Sequence, residues 1–249
     1  MDDAAAPHLV HYIPIATTTL SAIFFVILLR RYLVRRSGAH LLWWAGGVFC
    51  YGLGTAVESL ITLTGNTIAL NKAWYIAGAL LGGYPLAQGS VYLLAKRKTA
   101  NLLTVLTVPF IVGLSILVAL SPVHADLLEA HRPSGDILGW QWIRACTPII
   151  NSYAVLFLIG GAMLSAIRYA QQRGTGNRAL GNSLIAIGAI LPAVGGGLAK
   201  AGIVEALYVG EFLGLILIWI GYGCCVARPA TVTVVESDAR STNLQPVAG

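Results

Sequence analysis

Long apolar segments recur along the whole chain, separated by turns and by one longer polar loop up to about Trp142. A helix needs about 20 predominantly apolar residues to cross the hydrocarbon core of a bilayer. Seven segments satisfy this length, at residues 11–29, 41–63, 73–95, 102–120, 143–167, 179–204 and 205–227. The sequence therefore predicts an all-α fold in which residues 1–227 form one bundle of seven transmembrane helices and residues 228–249 form a flexible tail.

The composition excludes an ordinary soluble domain. Hydrophobic residues make up 57% of the 249 positions and charged residues 10%, whereas soluble domains are about 45–50% apolar and about 25% charged. The net charge is +6, but the basic residues occur in short clusters between apolar segments and not as one surface. Such clusters are typical of membrane topology signals, so we expect membrane lipid as a partner and no nucleic acid.

The distribution of Lys and Arg predicts the orientation of the chain. The polar segments on one side of the predicted bundle hold twelve of these residues, and those on the other side hold four. Because cytoplasmic loops carry the excess, we expect an external N-terminus and a cytoplasmic C-terminus in the cell (plasma or inner) membrane. The first twelve residues contain no Lys or Arg. A signal peptide begins with a positive region, so the first apolar segment is predicted to be a retained helix.

Three ionisable residues interrupt the apolar segments: Glu58 in the second, Lys200 in the sixth and Glu211 in the seventh. A charge in hydrocarbon needs a partner or a wet cavity. Glu58 lies about five residues from the outer end of its segment, and Glu211 lies a similar distance into its own. We therefore expect both carboxyls at one depth below the outer surface, where they form one shared polar site.

Polar side chains at helical spacing extend this predicted site. Tyr51 lies two turns before Glu58, Tyr208 lies three residues before Glu211, and the outer part of the fifth segment adds two more polar residues. We expect an outward-facing pocket that binds a small molecule or a lipid. In the alternative, basic residues only pair with the glutamates and hold helices together, or Lys200 extends to the surface. The predicted lining consists of Glu58, Glu211, Lys200, Tyr51, Tyr208, Asn151 and Arg144.

Histidines near the predicted outer surface are the candidate metal ligands, since imidazole binds Zn²⁺ and similar ions. These are His8, His11, His124 and His131. The four cysteines lie inside apolar segments without CxxC spacing and predict neither a zinc site nor a disulfide framework. The sequence contains no HExxH, GxSxG or Walker A motif. This absence favours a role other than catalysis, and the sequence identifies no cofactor.

The second and third apolar segments read LLWWAGGVFCYGLGTAVESL and KAWYIAGALLGGYPLAQGSVYLLAKRK. In their Trp, Gly and Glu positions, these segments resemble the seven-helix sensor regions that precede kinase domains in some bacterial histidine kinases. The resemblance implies a sensing, receptor-like module. Only residues 228–249 follow the seventh segment, so a module of this kind needs a separate cytoplasmic protein partner.

Three other roles stay open at this point. Glu58 and Glu211 are suited to carry protons or cations, as in a transporter or channel. The histidines would serve a membrane-lipid enzyme if they lie near the headgroups. Small residues at close-packing spacing are suited to a structural subunit of a complex or to a homo-oligomer. These small residues are Gly78, Gly82, Ala189, Ala193, Gly197, Gly210 and Gly214.

Overall fold

The computed structural model describes residues 9–203 and 205–227, without the side chain of residue 200. Within these ranges the chain is helical, apart from short turns and the segment 121–141, which contains two short 3-10 turns and a β-bridge between Val123 and Leu138. The helices are α1 (Ile13–Arg35), α2 (Ala39–Thr64), α3 (Ile68–Trp74), α4 (Tyr84–Leu94), α5 (Arg97–Leu120), α6 (Trp142–Ala154), α7 (Gly160–Ala170), α8 (Gly176–Lys200) and α9 (Glu205–Val226).

Six helices are long and apolar enough to cross a membrane. One of them joins α6 and α7 through a π-helical turn, Val155–Ile159. The spans are Leu9–Arg35, Ala39–Thr64, Arg97–Leu120, Trp142–Ala170, Gly176–Ala199 and Glu205–Val226. The prediction of an all-α, multi-pass membrane protein is therefore confirmed. The seventh crossing and the orientation of the two termini stay predictions, and the tail from residue 228 onward lies outside the described residues.

The third predicted segment, residues 73–95, differs from the uninterrupted helix that its length suggests. It consists of α3, a π-helical turn at Tyr75–Leu80, a short break and α4. The break has two local causes. Gly82 lies against the backbone of the preceding turn, and Pro85 at the start of α4 has no N–H to continue the helical hydrogen bonds. A Cβ at Gly82 would lie 2.5 Å from the Gly78 carbonyl oxygen. Much of the segment is buried by its neighbours, as broken backbone at membrane depth requires.

Helices α8 and α9 pack through glycines that bring their backbones together. A Cβ at Gly188 would lie 2.6 Å from the Gly214 carbonyl oxygen, and a Cβ at Gly214 would lie 2.5 Å from the Gly188 carbonyl oxygen. Gly181 and Gly221 repeat this reciprocal contact two turns further along. Since apolar contact gives little drive to associate in lipid, such close approach is a main source of helix–helix attraction.

The turns of the chain gather at two ends of the bundle. We call the end with residues 36–38, 95–96 and 171–175 the basic end, and the end with residues 65–67, 121–141 and 201–203 the loop end. At the basic end, Arg31 on α1 donates to the Tyr222 hydroxyl on α9 at 2.9 Å. At the loop end, Arg132 donates to the Ala199 carbonyl at the end of α8 at 3.1 Å.

The segment 121–141 is tied to α3 by two side chains. The fully buried Asn71 donates from Nδ2 to the Ser134 carbonyl at 2.6 Å, and its Oδ1 accepts from the Ser134 amide at 3.0 Å. Lys72 Nζ donates to the carbonyls of Ala119 at 2.9 Å and Ser121 at 2.7 Å. A cation at the last carbonyls of α5 satisfies acceptors that the helix itself leaves open.

Candidate functional site

Glu58 and Glu211 meet between α2 and α9, within hydrogen-bonding reach of each other. Glu58 lies six residues before the last residue of α2, and Glu211 lies six residues after the first residue of α9. At about 1.5 Å per residue, both carboxyls lie about 9 Å from the loop ends of their helices. The equal depth follows from the sequence positions, and the contact itself follows from the packing of the bundle.

The carboxyl pair is buried and incompletely hydrogen-bonded. Glu58 is only 2% exposed, and its Oε1 accepts a hydrogen bond from Trp74 Nε1 at 2.6 Å. The other oxygen of Glu58 and Oε2 of Glu211 are both buried, and neither receives a hydrogen bond from an N–H or hydroxyl group of the described residues. A buried polar atom without a partner costs about 1–3 kcal/mol. A proton that gives one carboxyl an O–H donor to the other would remove part of this cost.

Hydroxyl and aromatic side chains enclose the pair. The Tyr51 hydroxyl donates to the Glu211 backbone carbonyl at 2.9 Å. Thr62 on α2 donates to the carbonyls of Glu58 and His11. The Tyr208 ring is 2% exposed and meets the His11 ring edge-on, with 5.6 Å between centroids. The side chains around the carboxyls are therefore packed against each other.

Three members of the predicted pocket are not seen to join this cluster. Arg144 forms an ion pair with Asp136 in the loop segment and donates to Gln141. The Ser134 hydroxyl, followed by the Arg144 guanidinium, holds the pKa of Asp136 below its ordinary value. Asn151 is exposed on the outer face of α6. The side chain of Lys200 lies outside the described part of the structure, although its backbone ends α8.

The candidate metal ligands are dispersed where the structure describes them. His11 packs on Tyr208, His124 is exposed and His131 is half-buried. Within the described ranges, no three His, Cys, Asp or Glu side chains form a group that could hold a metal ion. His8 lies outside those ranges, so its part in the metal prediction has no counterpart in the structure.

Two features of the site have little signal in the sequence. Trp74 donates to Glu58 from another helix. The only sequence signal for this contact is that Trp74 follows Glu58 by 16 residues, at the start of the next apolar segment. Hydroxyl groups continue from the pair toward the middle of the bundle: Thr55 and Thr18 are 2.9 Å apart, and Ser21 Oγ is buried without a hydrogen-bond partner among the described residues.

A cavity of about 340 Å³ occupies the other half of the bundle, toward the basic end. Its walls come from α1, α2, α4, α8 and α9 and from the helix that joins α6 and α7. Most of the lining is apolar, and the polar lining residues cluster toward the basic end. The predicted pocket at the glutamates and this cavity are thus different places in the fold.

The chemistry of the carboxyl pair is limited by what surrounds it. Two adjacent carboxyls can share a proton, and the neighbouring indole and phenol can orient the pair, but none of the described side chains near it has the arrangement of an activated nucleophile. Comparison of the chain with protein-family models, with curated proteins and with solved structures found no match.

Proposed function

We propose that the protein is a multi-pass membrane sensor whose Glu58–Glu211 pair binds a proton and thereby controls the contact between α2 and α9. The observation that carries this proposal is the buried meeting of two carboxyls, each with an Oε2 that lacks an N–H or hydroxyl donor. A proton on one carboxyl supplies that donor to the other. When both carboxyls are ionised, the donor is lost and the two charges repel.

The repulsion is large enough to move a packed helix. Two unit charges about 4 Å apart interact by about 4 kcal/mol at the effective dielectric constant of about 20 that suits protein sites. At 1.4 kcal/mol for each factor of ten, this changes a two-state equilibrium by about a thousandfold. Binding of one proton can therefore decide whether α2 and α9 stay in contact at the loop end.

The tight packing of the cluster favours a proton over a larger ligand. Glu58 and Tyr208 are each 2% exposed, and Thr62 is 5% exposed. A small molecule or a lipid at the carboxyls requires these side chains to move apart, whereas a proton does not. The proposed role is therefore sensing, with the proton as the ligand that this geometry accommodates.

Other groups near the pair set the conditions under which it responds. Tyr51, Tyr208 and Trp74 face the carboxyls from α2, α9 and α3, and the ring of His11 packs on Tyr208. Substitution of these groups is expected to change the pH of the response, while the response itself depends on the two glutamates.

The proposed sensor threads the membrane seven times. The broken segment α3 to α4 connects the loop end to the basic end, as each of the six long helices does. Its buried position supports this crossing, because broken helices are tolerated at membrane depth only inside protein. With the Lys- and Arg-rich end in the cytoplasm, the carboxyl pair lies in the outer half of the membrane. The output then passes to a cytoplasmic protein partner at the basic end, as the resemblance to histidine kinase sensor regions implies.

The test is a pH titration of the full-length protein in nanodiscs, with Glu58→Gln and Glu211→Gln as the test variants. Glu205→Gln is the matched control, since Glu205 is an exposed carboxyl on the same helix as Glu211. Hydrogen exchange at the loop ends of α2 and α9 reports their contact, and infrared difference spectroscopy reports the protonated carboxyl. In the wild type and in the control variant, we expect exchange to increase as the pH rises and the protonated-carboxyl band to disappear.

Each test variant is expected to lose the exchange response, because Gln supplies a permanent donor and cannot ionise, so two negative charges never face each other. The infrared band of the one remaining carboxyl is expected to titrate at a different pH from that of the wild-type pair. A response of equal size in Glu58→Gln, Glu211→Gln and Glu205→Gln would show that the proton binds elsewhere, and it would refute the proposal. An altered infrared titration with an unchanged exchange response in both test variants would show that the pair titrates but does not control the helices.

Proton transport is the second candidate, and the row of hydroxyl groups favours it. Thr55, Thr18 and Ser21 extend from the carboxyl pair toward the cavity at the basic end. With intervening waters, such a row is a path for protons. Transport predicts proton flux into proteoliposomes that stops in Glu58→Gln and continues in Glu205→Gln. Absence of flux in the wild type would exclude transport and leave the sensor proposal intact.

A further inference from the structure

The cavity at the basic end has the features of a binding site with one apolar and one cationic region. Its volume of about 340 Å³ falls within the range of about 300–1,000 Å³ that is usual for ligand pockets. The deep part is formed by aliphatic and aromatic side chains, including Phe24, Val48, Leu86 and Ile218. A hydrocarbon group is the chemistry that this part of the cavity can bury.

The opening toward the basic end has basic side chains and hydrogen-bond donors. Arg178 lines the cavity, and its guanidinium carbon lies 5.6 Å from the centre of the Tyr169 ring. Arg31 reaches the same region by donating to the Tyr222 hydroxyl, which also lines the cavity. Asn182, another lining residue, lies one turn after Arg178 and donates to its carbonyl.

Neither arginine is neutralised by an acidic side chain that the structure describes. Arg132 and Arg144 are the basic residues with salt bridges in that part of the chain, and the cavity lining contains no Asp or Glu. Arg178 also lies in the first turn of α8, where the unpaired N–H groups of the helix add positive potential. Among the described residues, the charge at the opening therefore has no acidic partner and is available to an anionic group.

We propose that this cavity binds a single-chain anionic amphiphile, such as a fatty acid, with its hydrocarbon chain among Phe24, Val48 and Ile218 and its headgroup at Arg178. The volume is at the lower end of the usual range, which favours one hydrocarbon chain over the two of a phospholipid. The amphiphile reaches the opening from the membrane leaflet at the basic end. This site lies in the other half of the bundle from the carboxyl pair and does not depend on proton sensing.

Trp44 makes the binding measurable, because it lines the cavity. The probe is a dibrominated fatty acid, which quenches a nearby indole, added to full-length protein in nanodiscs of zwitterionic lipid. We expect saturable quenching that unbrominated fatty acid reverses and that Trp44→Phe largely removes. A dibrominated lysophosphatidylcholine, with a zwitterionic headgroup, is expected to bind at least tenfold more weakly.

Two substitutions test the two regions of the site. Arg178→Gln is expected to weaken fatty-acid binding about tenfold, the equivalent of one charge-assisted hydrogen bond. Its matched control is Arg173→Gln, because Arg173 is an exposed arginine of the preceding turn that does not line the cavity. Ala162→Phe fills the apolar wall without removing a polar contact, and it is expected to abolish saturable quenching.

Several results would overturn the proposal. These are equal affinity for the anionic and zwitterionic probes, equal affinity in Arg178→Gln and Arg173→Gln, or unchanged binding in Ala162→Phe with a wild-type melting temperature. Binding that is detected only after removal of residues 228–249 would also overturn it, because the chain's own C-terminal segment would then be the occupant.

Discussion

Replacing Gly188 by Ala tests whether the α8–α9 contact depends on direct backbone approach. The added Cβ would lie 2.6 Å from the Gly214 carbonyl oxygen, whereas ordinary van der Waals contact begins at 3.4 Å. The helices must therefore separate locally by about 0.8 Å, the difference between these distances. Overpacking of this kind costs about 1–3 kcal/mol, and we take about 2 kcal/mol for this substitution.

The matched control is Gly196→Ala on the same helix. A Cβ at Gly196 meets nothing within 4 Å, so this variant has the helix-propensity gain of about 1 kcal/mol without the clash. Gly188→Ala has the same gain, and its net destabilisation is about 1 kcal/mol. The two variants should thus differ by about 2 kcal/mol in the free energy of unfolding, which corresponds to about 4–8 °C in melting temperature for a chain of this size.

The assay is thermal unfolding of both variants and the wild type in the same detergent micelles. We expect the order Gly196→Ala, wild type, Gly188→Ala from highest to lowest melting temperature. Equal melting temperatures for the two variants would refute the claim that close backbone approach holds α8 against α9. A drop in Gly196→Ala alone would show that the packed face of α8 is the opposite one.

Three further predictions concern the loop end. Lys72→Met should lower the free energy of unfolding, measured by denaturant titration, by about 1–2 kcal/mol, because it leaves the carbonyls at the end of α5 without a donor. The control Lys98→Met, at an exposed lysine, should leave the denaturant midpoint unchanged. Asn71→Ala should cost about 1–3 kcal/mol and increase hydrogen exchange at Ser134. Because the pKa of Asp136 is lowered in the folded protein, this carboxylate stabilises the fold at pH values above its unfolded pKa of about 3.9, and the stabilisation is lost as the pH falls through the folded pKa. Asp136→Asn should therefore remove the acid dependence of hydrogen exchange in the segment 121–141.

The helical character of the chain and six of its membrane-length helices could be predicted from hydropathy, since long apolar segments in this chain have few alternatives to helix. The break in the third segment is harder to predict, although Gly82, Gly83 and Pro85 are visible in the sequence. Prolines inside other helices, such as Pro109 in α5, do not end them. Whether a glycine–proline run ends a helix depends on tertiary neighbours that can satisfy the open backbone groups.

The small-residue face of α8 shows the same limit. The spacing of Ala189, Ala193 and Gly197 predicts one interface, but α9 packs on Gly181, Gly188 and Gly195, which recur every seven residues. Ala193 is exposed, and a Cβ at Gly197 would meet nothing. Both faces satisfy the rule that small residues allow close approach. Only the position of the partner helix distinguishes them.

In the candidate site, charge and helical depth were sufficient to select Glu58 and Glu211, because a carboxyl in an apolar segment needs a partner. Arg144 is different, since it lies in the first turn of its helix but forms an ion pair with Asp136 in the adjoining loop. Sequence distance along one helix predicts depth well, but it does not predict which loop residue folds back. The cavity at the basic end has no signal in the sequence, because its lining residues come from six separate helical stretches.

The two acids of the site are made at different times. Synthesis reaches Glu211 153 residues after Glu58, the difference of the two positions, and at about 5–20 residues per second this takes roughly 8–30 s. Trp74, only 16 residues downstream, is the earlier partner. A hairpin of α2 and α3 can therefore form early in synthesis, with the Trp74 indole bonded to the Glu58 carboxyl and separating it from lipid. Insertion of α9 completes the site. A chain stalled before α9 still lacks the Glu211 carboxyl beside Glu58 and should be exposed to membrane quality control.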